Sequence, residues 1–138
     1  MIDALTEASE KDIPALINLW VECGLVRSWN DPEQDIRYCL NQAHSTIFLS
    51  MHNGVLVGSV MCGHDGHRGW IYYLAVSPDQ QGRGLGKNLV AKAETWLMDL
   101  GVWKVNLMIR SENTKVERFY SELGYLTEDR IIMGKRLD

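Results

Sequence analysis

Gly82, Gly84 and Gly86 alternate within Gln81-Gly82-Arg83-Gly84-Leu85-Gly86-Lys87, a spacing suited to gripping an anion. Glycine lets the backbone approach a ligand closely with its N–H groups turned inward. The segment follows the apolar run Trp70-Ile71-Tyr72-Tyr73-Leu74-Ala75-Val76, which Pro78 stops, and precedes a helical stripe at Leu85, Leu89, Val90, Ala93, Trp96, Leu97 and Leu100. The order is strand, glycine-rich loop, helix. The loop N–H groups and the start of the helix dipole make a phosphate site. A dinucleotide fingerprint needs glycine where Lys87 stands, and an acidic ribose ligand further on is missing. A mononucleotide loop needs glycine at 81 and Ser or Thr at 88, where the chain has Gln81 and Asn88. Both common nucleotide readings fail. A turn that binds nothing needs one glycine, not three beside Arg83 and Lys87.

Other side chains suggest chemistry more weakly. His64, Asp65 and His67 put three potential metal ligands in one loop, a pattern that reads first as a turn with polar caps, so no metal is expected. Tyr72 and Tyr73 point to opposite faces if their strand is regular, which would place one of them in the core. Arg27 and Trp29 either pack beneath a loop or line an acceptor pocket, and Asp31 reads as a helix cap before it reads as a ligand for a cation. Cys23, Cys39 and Cys62 are odd in number and lack metal spacing, which predicts a reduced, cytoplasmic protein.

Elements that would position these residues can be read in turn. Residues 2–6 suit a short strand. Ser9 or Asp12 caps a helix burying Ile13, Leu16, Ile17, Trp20 and Val21, ended by Gly24. Asp31-Pro32-Glu33-Gln34 starts a second helix with Ile36, Cys39, Leu40 and Ala43 inward. Strands over 46–52 and 55–62 flank Asn53-Gly54, a strong hairpin signal. Beyond the glycine loop and its helix, residues 103–109 alternate as a strand. A helix from Asn113 follows, with Val116, Phe119, Tyr120 and Leu123 inward and Gly124 at its end. Two last strands are expected over 125–128 and 131–137. The predicted order is β-αα-ββ-β-α-β-α-ββ, an α/β fold with a mixed, mostly antiparallel sheet flanked by helices, in a single domain of residues 1–138. A net charge of −4 opposes a nucleic-acid partner. No apolar run reaches membrane-spanning length, and the acidic, polar N-terminus does not read as a signal peptide.

This order, the loop Gln81-x-x-Gly84-x-Gly86 after Leu74-Ala75-Val76, and Asn113 followed by Phe119-Tyr120-x-x-x-Gly124-Tyr125 resemble the GNAT family of N-acetyltransferases. Trp29-Asn30-Asp31-Pro32 together with Asp65-Gly66-His67-Arg68-Gly69 is similar to a small bacterial subgroup of it. The resemblance implies acetyl-CoA as donor and direct transfer to a primary amine. Backbone groups of Leu74, Ala75 and Val76 would pair with the pantetheine amides. The N–H groups of Gln81, Gly82, Arg83, Gly84, Leu85, Gly86 and Lys87 would hold the pyrophosphate. Asn113 would orient the cofactor arm, Tyr120 would sit beside the sulfur as general acid, and the N–H of Leu74 or Val76 would polarise the acetyl carbonyl.

Where histone-type members carry a glutamate base, this chain has Trp70. Tyr72, Tyr73, His64, Asp65 and His67 remain as candidates, with His67 the choice for proton transfer near neutrality, and a water relay stands beside them. Arg27, Trp29, Asp31, Tyr72 and Tyr73 would face the acceptor. That acceptor is expected to be a small amine, with a peptide N-terminus or lysine as the alternative. A non-catalytic acyl-CoA sensor is a further reading: the missing base favours it and the retained Asn113 and Tyr120 oppose it. A homodimer is compatible with the resemblance.

Overall fold

Strand-rich runs interrupted by Asn53-Gly54 and by the polar turn before Gly69 fold as an antiparallel meander, closed on one side by a parallel strand. The computed structural model describes residues 4–138. The elements in order are β1 (Thr6–Glu7), α1 (Ile13–Glu22), α2 (Pro32–Leu40), β2 (Ser45–His52), β3 (Val55–His64), β4 (Gly69–Val76), α3 (Leu85–Asp99), β5 (Val105–Leu107) and α4 (Thr114–Glu122). The chain divides into two compact units, Met1–Met108 and Ile109–Asp138.

In the first unit the strands lie in the order β1-β2-β3-β4-β5, antiparallel except for the parallel β4–β5 pair. Asn53 (φ 52°) and Gly54 (φ 77°) make the β2–β3 turn, both in the left-handed region that suits the strand twist. One face of the sheet carries α1 and α2. Leu16, Trp20, Ile36 and Ile47 are fully buried there, with Leu49 and Ala75 beside them. The other face carries α3, with Leu85, Leu89, Val90, Ala93 and Leu97 buried. A Cβ on Gly58 would stand 3.0 Å from Leu89 Cδ1, and one on Gly69 2.9 Å from Leu97 Cδ1. Their missing side chains let α3 settle close against β3 and β4.

The helix starts follow local chemistry. The Ser9 N–H donates to Asp12 Oδ2 at 2.8 Å in the short turn leading into α1. Asp31 caps α2, its Oδ1 accepting from the Gln34 N–H at 3.2 Å, with Pro32 in the first turn. In the second unit Asn113 caps α4, its Oδ1 accepting from the Val116 N–H at 3.3 Å.

The mixed, mostly antiparallel α/β reading is borne out, with corrections at the ends. The first strand covers Thr6–Glu7, and residues 2 and 3 of the expected strand lie outside the described residues. β5 is shorter than expected: Trp103 is 78% exposed and outside it, beneath the Arg68 guanidinium carbon at 4.6 Å from its ring centroid. Neither strand expected over 125–137 forms; Leu126, Ile131, Met133 and Leu137 are exposed. Strand propensity needs an edge to pair with, and the second unit has none among its described residues.

The β3–β4 turn is organised by Asp65. Its Oδ1 accepts from the N–H groups of His67 (2.9 Å) and Arg68 (2.7 Å), and its Oδ2 accepts from Trp70 Nε1 (3.1 Å). These bonds, led by the Arg68 N–H, lower its carboxyl to about 2 from an ordinary 3.8. A depressed native pKa gives stability that is complete above the unfolded value and lost as pH falls through the native one. Asp65→Ala should therefore lower the denaturation midpoint near neutrality. The gap to wild type should close as pH falls from about 4 to about 2. A gap that stays constant across that window in denaturant titrations would contradict this account.

Candidate active site

β4 is flanked differently along its two edges. Toward β3 it pairs from Gly69↔His64 to Val76↔Gly58, with a register shift between Ser59 and Met61. Tyr73 and Leu74 therefore stand opposite Val60 alone, a β-bulge in which Tyr73 has φ 51°. Toward β5 the pairing covers only Gly69↔Val105, Trp70↔Asn106 and Ile71↔Leu107, and then stops. From Tyr72 to Val76 no strand among the described residues pairs with β4 on that side.

Backbone direction on this open edge follows from alternation. Ser77 N–H donates to the Val57 carbonyl at 2.8 Å. Two residues earlier Ala75 bonds its partner Ser59 in the same sense, which turns the N–H and C=O of Leu74 and Val76 the other way. The Val76 carbonyl is met by Gln81 Nε2 at 3.1 Å and by Cys23 Sγ at 3.3 Å. Leu74 thus offers both a donor and an acceptor, and Val76 a donor. Ala75, expected to contribute as well, faces β3.

A short turn over Pro78–Gln80 leads from the strand into the glycine loop. Gly82 (φ 82°) and Gly84 (φ 79°) adopt left-handed backbone, with nothing within 4 Å of a Cβ built at either. Gly84 is the residue before α3 and supplies no side-chain cap. The first helical bond beyond it runs from the Asn88 N–H to the Gly84 carbonyl at 3.1 Å, so the N–H groups of Leu85, Gly86 and Lys87 have no helical acceptor. Arg83 and Lys87 are exposed on the same rim. An open strand edge leading into an uncapped helix start offers donors for amides and then for an anion.

Tyr72 and Tyr73 lie on one face, contrary to the regular-strand expectation, because the bulge intervenes. Tyr72 pairs with Met61, and Met61 and Tyr73 both pack against the α1–α2 core. The Tyr73 ring stacks on Trp20 at 3.8 Å between centroids, with the planes 2° apart. Its hydroxyl donates to Asp35 Oδ2 at 2.6 Å and accepts from Asn30 Nδ2 at 2.6 Å. Burial first, then Asp35, raises this phenol to about 12. Tyr72 is exposed beside Trp70, their rings near parallel at 6.4 Å, and its phenol is raised by burial and then by the charge of Asp65.

Among the other expected acceptor residues, Arg27 is spent locally. Its N–H donates to Asn30 Oδ1 at 2.7 Å and its Nη1 to the Gly24 carbonyl at 2.6 Å. Trp29 is 61% exposed, and Asp31 is the cap of α2. His67 sits in the β3–β4 turn, at the end of β4 away from the glycine loop, with Asp65 and with His64, whose Nδ1 accepts from the Gly66 N–H at 3.2 Å. A strand rises about 3.3 Å per residue, so that turn is of the order of 20 Å from Val76. His67 is not brought to the open edge. Asn30 entered the sequence reading only as part of Trp29-Asn30-Asp31-Pro32, and Asp35 not at all. The signal for Asp35 is faint: it is one residue ahead of buried Ile36, on a rim where a polar group can reach inward.

In the second unit, Tyr120 is buried, with Phe119 edge-on at 5.0 Å and Tyr125 edge-on at 5.5 Å. Burial pushes its phenol well above the usual range. Asn113 is exposed and caps α4.

Comparison with known proteins agrees with this architecture. The acetyltransferase (GNAT) family profile matches residues 13–125. The chain is 45% identical over 128 residues to an acetyltransferase of Yersinia pestis, covering 93% of this chain and 91% of that protein. It is 46% identical over the same length to one from Pectobacterium atrosepticum. Among solved structures it is similar to the aminoglycoside N-acetyltransferase AAC(6')-Iy in complex with CoA, with TM-score 0.84, 18% identity, and coverage of 100% of this chain and 96% of that one. A metagenomic aminoglycoside acetyltransferase in complex with sisomicin gives TM-score 0.79 at 19% identity, covering 98% and 95%. The chain belongs to the acetyltransferase (GNAT) family.

Proposed function

We propose that the protein transfers acetyl from acetyl-CoA to the primary amine of a small molecule by direct attack. The observation that carries this reading is the unpaired β4 edge running into the uncapped start of α3. Leu74 and Val76 would pair with the amides of the pantetheine arm as if a short strand had been added. The N–H groups of Leu85, Gly86 and Lys87, with Arg83 and Lys87 side chains near, would hold the pyrophosphate. Leu74 N–H is aimed to stabilise the charge that develops on the acetyl oxygen when the amine attacks.

The chain's own titratable groups narrow the chemistry. Tyr72 and Tyr73 have raised phenols and so do not serve as bases near neutrality. The Cys23, Cys39 and Cys62 thiols are all pushed up by burial, Cys62 to about 12, and none is a ready nucleophile. That favours direct transfer over a covalent enzyme intermediate, with water taking the amine proton. Tyr120 stays protonated at neutral pH, which fits the role the resemblance assigns it: donating a proton to the departing thiolate. Structural neighbours that bind aminoglycosides favour a small amine acceptor over a peptide.

An acceptor screen that follows CoA release, with aminoglycosides and other small amines against peptide N-termini and lysine peptides, tests the reaction. Release with small amines is expected, and release with peptides alone would overturn the acceptor class. Gly84→Val tests the binding site. A β-branched residue in left-handed backbone costs about 1–2 kcal/mol, and nothing lies within 4 Å of its Cβ, so the variant should fold. At acetyl-CoA near 100 times its dissociation constant, wild type should gain about 2.7 kcal/mol of apparent stability and the variant almost none. Equal stabilisation of both would sink the loop assignment. Tyr120→Phe keeps the ring and removes the donor, so kcat should fall by about 10²–10⁴ while acetyl-CoA still binds. An unchanged kcat, with chemistry rate-limiting, would reduce Tyr120 to packing.

A further inference from the structure

Tyr73 is held in more ways than its burial requires. Its backbone is left-handed at φ 51°, a conformation that strains a bulky side chain and persists only where the surroundings over-determine it. Three groups do so. The ring is clamped on fully buried Trp20, whose Nε1 donates to Ser59 Oγ at 2.9 Å. Ser59 Oγ in turn donates to the Tyr73 carbonyl at 3.2 Å. The hydroxyl is fixed by Asn30 and Asp35, one from the α1–α2 connection and one from α2.

The carbonyl bond has a consequence at the next residue. In a planar trans peptide the C=O and the following N–H point in opposite directions. With the Tyr73 carbonyl held by the Ser59 hydroxyl, the Leu74 N–H is directed away from that hydroxyl, and the pairing of Ala75 with Ser59 puts it on the edge that β3 does not cover. If Tyr73 relaxed to ordinary strand backbone, the bulge would shift and that N–H would turn with it.

We propose that Tyr73 is a positioning residue whose hydroxyl ties the segment 27–35 to the backbone donor at Leu74. One side chain then sets both the wall expected to receive the acceptor and the donor aimed at the acyl oxygen. The inference rests on the reading that the β4 edge takes the acyl-CoA arm. It assigns Asp35 a role as the acceptor of the phenol's hydrogen bond rather than as a base. An amide oxygen can accept that bond as a carboxylate can; a methyl group cannot.

The test uses the full chain and acetyl-CoA labelled with ¹³C at the carbonyl, read by infrared difference spectroscopy. Bound to wild type, the thioester C=O stretch should move to lower wavenumber than in solution, reporting the Leu74 donor. Tyr73→Phe, which keeps the ring stack, and Asp35→Ala should lose most of that shift and speed amide exchange across residues 27–35. Asp35→Asn should retain both. All three variants should bind acetyl-CoA within about threefold of wild type by calorimetry. Shifts in Tyr73→Phe and Asp35→Ala equal to wild type would overturn the positioning role. Loss in Asp35→Asn as complete as in Asp35→Ala would overturn the assignment of Asp35. A wild-type protein that does not bind acetyl-CoA would overturn the functional reading itself, and this inference with it.

Discussion

The site depends on where the β4–β5 ladder stops. Backbone N–H and C=O groups are obligatory hydrogen-bonding groups, and a strand deprived of its neighbour leaves a row of them to be met by water, side chains or a ligand. Past Ile71 this chain meets one of them itself, covering the Val76 carbonyl with Gln81 and Cys23. Leu74 is left on the open edge. Natural sheets usually blunt such an edge. Here a short turn over Pro78–Gln80, whose Ser77 and Gln80 N–H groups are bonded within the chain, leads from that edge to a loop whose two left-handed glycines begin a helix without a side-chain cap, so donors stand at both ends of the stretch. Gly58 and Gly69 contribute from beneath by letting α3 pack close to the strands it follows.

The opposite face of β4 supplies rigidity. Trp20, Ser59 and Tyr73 form a chain of stacking and hydrogen bonds in which each polar atom has a partner, inside a core built by α1 and α2. Strain stored at a bulge and repaid by packing elsewhere is how a fold holds a backbone donor at an angle a regular strand would not give. The thiols of this core, Cys23 and Cys39, are both pushed up by burial. The reactive polarity of this face is therefore carried by backbone and hydroxyl groups.

Local chemistry was legible in the sequence, and non-local register was not. Asp31-Pro32 and Asn113 announced their helices because a cap is decided within a few residues. Asn53-Gly54 announced its hairpin for the same reason. The glycine loop could be recognised from its spacing alone. The bulge at Tyr73 could not, since it arises from a mismatch between β3 and β4 that neither strand carries by itself. The paired faces of Tyr72 and Tyr73 were misjudged as a result. The bonds that tie Asn30 and Asp35 to β4 run to a phenol on another element, tens of residues away. His67 suggested itself by residue type, but the β3–β4 turn uses its backbone, and Asp65 is spent on the turn. The last two expected strands failed because apolar alternation cannot reveal whether an edge is available.

Amide hydrogen exchange, measured residue by residue with and without saturating acetyl-CoA, addresses the open-edge account most directly. The account predicts new protection at the Leu74 and Val76 amides and at Leu85, Gly86 and Lys87, each slowed by at least about tenfold. No change is expected at residues 64–68 of the β3–β4 turn. Binding without protection at Leu74 and Val76, or with protection centred on that turn, would contradict it.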